Sequence, residues 1–255
     1  MKLDRQQWIV FFVCLGLNAL LAFIALALGL QRDLVAGQEM PPELVSTPGW
    51  VLGLANAGMI LVLYGLAGAA GLWLGQRAGL PGVFRTGAGW RNWAWRPAAL
   101  GLVVGLVMVL GDRVFATLGR WGGFPHPAFP MSLIASATAG IGEEIVFRGF
   151  VMGLWAFLLN LLLRRSGNRA AALWGANVIA ALAFAAGHLP AAMYLLNVHS
   201  PLELPAVVLA ELTVLNALVA LVAGERYMRD GLVAAMGVHF WADVVWHVVW
   251  PLVAA

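Results

Sequence analysis

The sequence predicts an all-α protein, a polytopic transmembrane helix bundle of about seven spans with a polar catalytic cavity inside it. Three observations lead there. Of 255 residues, 62% are apolar and only 11% charged, too few charges to cover a water-facing surface. The apolar residues gather in runs near the roughly 20 residues that a helix needs to cross about 30 Å of hydrocarbon. The few ionisable residues inside those runs recur at helical spacings, as expected of groups that are costly in lipid and turn toward a bundle interior.

The first span runs from Trp8 to Leu30, after Lys2 and Arg5. Ala25 and Ala27 imitate a signal cleavage site, but the apolar run exceeds the roughly 7 to 15 residues of a secretory signal, so a retained anchor is expected. The second runs from Trp50 to Gly75. The third, Pro97 to Gly111, is short unless it continues through Asp112 and Arg113. The fourth, Met131 to Leu163, is longer than a straight span needs, which implies a bend or an interfacial segment before Gly142. Ala170 to Leu196, Leu204 to Gly224 and Gly231 to Ala255 complete the set. Trp8, Trp50, Trp90 and Trp250 fall near span ends, where they suit the aromatic belt at the lipid headgroups.

Basic residues set the orientation. Lys2 and Arg5 precede the first span, Arg77, Arg85, Arg91 and Arg96 lie in or beside the second connection, Arg164, Arg165 and Arg169 the fourth, and Arg226 and Arg229 the sixth. The alternate connections hold only Arg32, Arg113 and Arg120, among Asp33, Glu39, Glu43, Asp112 and Glu203. An integral multi-pass protein of the plasma membrane is expected, with a cytoplasmic amino terminus and an outside carboxyl terminus. The net charge of +3 reflects this topology. No aromatic-interleaved basic patch, phosphate loop or internal repeat points to nucleic acid. The lone cysteine, Cys14, lies in a span and supports neither a disulfide framework nor a cysteine metal site.

The chemistry lies in three stretches. In "IGEEIVFRGF", Ile141 to Phe150, Glu144 and Arg148 stand four apart and share a helical face, whereas Glu143, rotated by about 100°, has Phe147 as its i+4 neighbour. The pair accounts for two charges and leaves Glu143 as the candidate acid or base; the alternative, in which all three only tie helices together, stays open. In "FAAGH", Phe184 and His188 are one turn apart, and Asn177, eleven residues earlier, lies near the same face. His188 reads either as a functional group or as a satisfied core histidine. Gly187 beside it would admit another backbone or a substrate. In "HFWADVVWH", His239, Asp243 and His247 recur every four residues. A carboxylate beside an imidazole fixes its tautomer for acid/base work or metal ligation, or simply neutralises it. His247 reads as support or packing. Glu211 is a further intramembrane carboxylate with no partner close in sequence, Arg148 or Arg113 being tertiary candidates. His126 and His199 fall in connections and receive no role.

In order, "EEIVFR", "FAAGH" and "HFWAD" resemble the three motifs of the CPBP family, the CAAX-processing and bacteriocin-processing intramembrane proteases also called Abi: Glu-Glu-x-x-x-Arg, Phe-x-x-x-His and His-x-x-x-Asn or Asp. The approach "LVAGERYMRDGLVAAMGVHFWAD" is similar to the family's as well. The resemblance covers Met131 to Val249 and divides the chain into residues 1–130, spans of unassigned role that shape substrate access or a lateral gate, and 131–255, the catalytic core. It implies an intramembrane endopeptidase of the CAAX prenyl protease type, acting in contact with membrane lipid on a protein or peptide substrate, whether prenylated or not. By analogy, Glu143 activates a water, His188 assists, and His239 with Asp243 positions and stabilises the oxyanion. Glu144 and Arg148 hold the fourth span as a structural ion pair, with Phe184, Asn177 and His247 in support.

Many members carry Asn where this chain has Asp243, and an ionised Asp cannot donate to an oxyanion, so the residue is expected to orient His239. Glu143, His188, His239 and Asp243 also form a set compatible with zinc. Both a zinc-bound and a glutamate-activated water stay open, the second preferred. With the inferred topology Glu143 and His188 fall in the outer half of the bilayer and His239 and Asp243 nearer its middle, whereas a prenylated CAAX protein arrives from the cytoplasm; tilted spans or another substrate would reconcile the two. A proton- or ion-coupled transporter would also carry midspan acids and histidines, but no inverted repeat or matched broken spans occur. A non-proteolytic membrane scaffold is the third reading, although every motif position is intact.

Overall fold

In hydrocarbon there is no water to bond exposed N–H and C=O groups, so each apolar run must satisfy its own backbone by coiling into helix. The computed structural model, which describes residues 3–30, 46–120, 123–163 and 167–254, does so seven times. Helices long and apolar enough to cross a membrane are α1 (Arg5–Ala27), α2 (Gly49–Arg77), α3 (Arg91–Gly119), α4 (Met131–Leu162), α5 (Arg169–Leu195), α6 (Ala206–Asp230) and α7 (Leu232–Ala254). Among the described residues there is no strand. The chain is an integral multi-pass membrane protein with an all-α fold. Lys2, Arg32, Asp33, Glu39, Glu43, Arg164, Arg165 and Ala255 lie outside the described residues.

Three ends differ from expectation: α3 begins at Arg91 rather than Pro97, and α3 and α6 both run past their expected ends. Helix α3 does continue through Asp112 and Arg113, because Asp112 is buried at 5% exposure and Arg113 reaches over the Trp250 ring, 6.0 Å away. Helix α6 runs past Gly224 to Asp230 because its charged last turns pair internally: Arg226 bonds Glu225 at 2.6 Å and Asp230 at 3.1 Å, and Arg229 also pairs with Glu225. Starts are capped by side chains at α1, where Asp4 accepts from the Gln7 amide, and at α5, where Asn168 accepts from that of Ala171.

The irregularity expected before Gly142 falls after it. Ile145–Met152 is π-helical, a widened turn with i→i+5 bonding that is frequent at functional sites. Another π-helical stretch, Val244–Val249, follows Asp243 in α7. Helix α5 breaks at His188, between Arg169–Gly187 and Leu189–Leu195, since Pro190 has no N–H to give the Ala186 carbonyl one turn earlier and its ring crowds that carbonyl.

Small residues bring the helices together, as membrane packing favours. A Cβ on Gly71 of α2 would overlap the Gly149 carbonyl and Phe150 Cα of α4, and one on Gly153 would strike the Gly71 carbonyl. Neither neighbour is a side chain that can swing aside. Gly71→Ala should therefore destabilise by about 1–3 kcal/mol, read as a lower thermal midpoint in detergent; an unchanged midpoint would show that the α2–α4 contact yields. Helices α3 and α7 meet likewise, Gly101 against the Val238 carbonyl and Gly105 against that of Ala242.

The α2–α3 connection folds back into the bundle. Leu80 and Val83 are buried, Gly82 O accepts from Leu232 N and Val83 O from Val233 N, each at 3.0 Å, and Val83 N donates to Gln7 Oε1 at 2.9 Å. The connection thereby caps the start of α7. Gly231, between α6 and α7, sits at φ 106° with no room for a Cβ beside Phe84, a conformation that favours glycine. One apolar core draws Phe11 and Leu15 from α1, Leu72 from α2, Ile145 and Met152 from α4 and Tyr227 and Leu232 from the α6–α7 hairpin.

Candidate active site

A cavity of about 230 Å³ opens among α3 to α7 and is lined by Glu143, His188, His239, Asp243 and His247, with Phe124 and Pro125 of the α3–α4 connection closing one wall. The four residues expected to act together thus share one space. Helical rotation separates the two adjacent glutamates. Glu143 points into the cavity with its side chain 33% exposed, whereas Glu144 is fully buried on the other face.

Glu144 has a partner at each oxygen, a hydrogen bond at Oε1 and a charge contact without a hydrogen bond at Oε2. Its Oε2 lies 3.2 Å from Arg148 Nε, the i,i+4 pair the spacing predicts, and its Oε1 accepts from His239 Nδ1 at 2.9 Å. This second partner was not visible in sequence, since 95 residues separate the two. Glu143 differs. Its Oε2 makes no hydrogen bond, and its nearest charge partner is His188 Nε2 at 3.9 Å. Asn18 of α1 and Tyr64 of α2 press on the preceding residue: a Cβ at Gly142 would meet Asn18 Nδ2 at 2.6 Å and Tyr64 at 3.2 Å. The amino-terminal spans buttress the backbone that carries Glu143.

Both histidines have defined orientations. His188 Nδ1 donates to the Phe184 carbonyl at 2.9 Å, and because a carbonyl only accepts, Nδ1 bears the proton and Nε2 is left facing Glu143. His239 is 3% exposed, with Nδ1 toward Glu144 and Nε2 3.5 Å from Asp243 Oδ2. Each of its nitrogens faces a carboxylate, Nδ1 in a hydrogen bond to Glu144 and Nε2 in a longer approach to Asp243.

Phe184 links the three motifs. Its ring lies 4.7 Å under the Arg148 guanidinium carbon, stands edge-on to Phe147 and His239 at 5.3 Å each, and tilts against His188 at 4.7 Å. The buried cation over the ring gains a cation–π contact that partly replaces lost hydration. Asn177 sits elsewhere: it donates to Leu221 O at 3.0 Å against Gly224 and ties α5 to α6 without reaching the cavity. His247 does reach the cavity, and its Nδ1 lies 3.1 Å from that of His126. His126, given no role by sequence, packs edge-on to Trp246. Burial holds its imidazole below the usual range, with Asp112 opposing. Asn216 of α6 also lines the cavity and carried no sequence signal. Glu211 is fully buried, and the His199 amide bonds Glu203.

Residues 125–245 match the family described as Rce1-like, type II CAAX prenyl endopeptidase Rce1-like. Over those residues, just under half of the chain, the protein is similar to that family. No curated protein and no solved structure matches. The Rce1-like stretch contains all three motifs and begins at Pro125, so it includes His126 and stops short of His247. The family is one of endopeptidases, hence of hydrolases acting on peptides or proteins.

Zinc fits the Rce1-like site poorly. Among the described residues no three of His, Cys, Asp and Glu are disposed to hold a metal ion together. His239 directs both nitrogens at carboxylates and His188 gives Nδ1 to a carbonyl, so His239 offers no free nitrogen to the set of three protein ligands that a catalytic zinc takes.

Proposed function

We propose that this protein is an intramembrane endopeptidase in which Glu143 is the base that activates water. One observation carries the reading: of two adjacent glutamates, one is tied to Arg148 and His239 while the other faces the cavity without a hydrogen bond, 3.9 Å from a histidine nitrogen. That gap exceeds a direct hydrogen bond and suits a water about 2.8 Å from both groups.

The water oxygen attacks the peptide carbonyl as its proton passes to Glu143 Oε2, with His188 Nε2 accepting the second O–H and fixing the direction of attack. The carbonyl π pair becomes the oxyanion, which the His239 imidazole stabilises by donating from Nε2, with Asp243 beside it holding the ring in place. As the C–N bond breaks, Glu143 returns its proton to the leaving amine, restoring the carboxylate and giving one acid and one amine product. Glu144 and Arg148 position His239 and do not touch the substrate. Apolar walls such as Phe124 and Leu195 suit a lipid-modified or apolar segment.

The test is cleavage of quenched fluorogenic peptides, prenylated and unprenylated, by the protein in detergent, with and without a zinc chelator. Hydrolysis that persists in chelator is expected. Activity abolished by chelation and restored by zinc would replace this mechanism with a metal-bound water, and proton-coupled uptake surviving His239→Ala would favour a transporter.

A further inference from the structure

We infer that the cavity opens on the non-cytoplasmic face of the membrane and that its substrate is a polypeptide segment presented from that side, the terminal or membrane-proximal stretch of an exported or membrane-anchored chain; the substrate half of this inference rests on the endopeptidase reading above. Three independent observations converge.

The first is where the lining comes from. Phe124 and Pro125 lie on the α3–α4 connection, Ala135 and Glu143 in the first half of α4, His188 and Leu195 in the last third of α5. Asn216 is in the first half of α6, and Trp246 lies past the middle of α7. Those positions coincide at one end of the bundle, where α3, α5 and α7 finish and α4 and α6 begin.

The second is charge. Apart from Arg32, Arg113, Arg120 and the buried Arg148, every Lys and Arg lies at the opposite end, before α1 or in and beside the α2–α3, α4–α5 and α6–α7 connections. These connections are short, the condition under which an excess of basic residues marks the cytoplasmic side.

The third is closure of that basic end. Leu80 is 1% exposed, and Val83, Tyr227 and Leu232 are 0% exposed. The connection that carries Leu80 and Val83 is hydrogen-bonded to the start of α7 and to Gln7 of α1. Arg85 donates to the carbonyls of Arg229 and Met228 across the same face. A cytoplasmic peptide would meet a packed core and a charged seam there, whereas from the other side it passes Phe124 and reaches Glu143.

Sidedness is measured on single-cysteine variants in a Cys14→Ala background. Leu202→Cys, at a position 95% exposed between α5 and α6, marks the open end, and Thr86→Cys, exposed in the α2–α3 connection, marks the closed one. With a membrane-impermeant maleimide on intact cells, labelling of Leu202→Cys before permeabilisation and of Thr86→Cys only after it is expected; the reverse pattern overturns the inference. The protein is then reconstituted in sealed vesicles sorted by the same label, and a peptide cleaved in detergent is added outside. Cleavage should occur where position 202 faces outward and be lost where it faces inward, and the opposite result refutes the substrate class. Should the detergent-solubilised protein cleave no peptide, the endopeptidase reading fails, while the labelling pattern still decides which face the cavity serves.

Discussion

Glu143→Gln in detergent is expected to fold as wild type does and to lose peptide hydrolysis by about 10²–10⁴-fold, the usual contribution of a positioned general base. Glutamine keeps the shape of the side chain but cannot take a proton. The change leaves the Arg148–Glu144–His239 chain of contacts intact, since Glu143 shares none of them. A side chain one-third exposed to a cavity and making no hydrogen bond gives little to stability, so the thermal midpoint should scarcely move. Paired initial-rate and unfolding measurements check both halves. A folded Glu143→Gln with full activity, beside a folded Glu144→Gln with none, would reverse the roles of the two carboxylates.

Glu144→Ala should be the most destabilising single substitution among the polar residues. Glu144 and Arg148 are both 0% exposed, and truncating one member of a buried pair leaves an uncompensated charge, at about 3–5 kcal/mol. It also strips His239 Nδ1 of its acceptor. Against a total of about 5–15 kcal/mol for a typical domain, that loss is large, and the variant should show a sharply lowered midpoint or fail to accumulate. Glu144→Ala combined with Arg148→Met removes the stranded cation and should recover much of the stability but not the activity, because His239 loses the carboxylate that orients it. The double-mutant cycle isolates the pair. A single variant within about 1 kcal/mol of wild type would show that solvent or another group takes over the guanidinium, contrary to a fully buried pair.

How much of this was legible beforehand follows from the range of each interaction. Span number and approximate bounds rest on local run length and came through for all seven helices; α3 read short at both ends, where Arg91 and Arg96, and Asp112 and Arg113, count as charges until Asp112 is seen buried and Arg113 beside Trp250. The pairing of Glu144 with Arg148 was likewise local, a matter of the i+4 neighbour. Contacts that depend on which helices adjoin were invisible: Glu144 to His239, Phe184 beneath Arg148, and His126 against His247. Asn177 shows the complementary error, for a polar residue on the inward face of α5 can point at a neighbouring helix backbone as readily as at a cavity. The π turns after Glu144 and Asp243 have no residue signature, since they answer to packing along the whole span.

The hairpin at Gly231 sets a timetable for synthesis. Helix α7 brings His239 and Asp243, the last of the motif residues to leave the ribosome, and its first turn is capped by a connection made some 150 residues earlier. Until that final helix has been inserted and seated against Gly101, Gly105 and the waiting carbonyls of Gly82 and Val83, Glu143 and His188 face an unfinished pocket. A nascent chain therefore carries no complete candidate site until α7 has been made and seated.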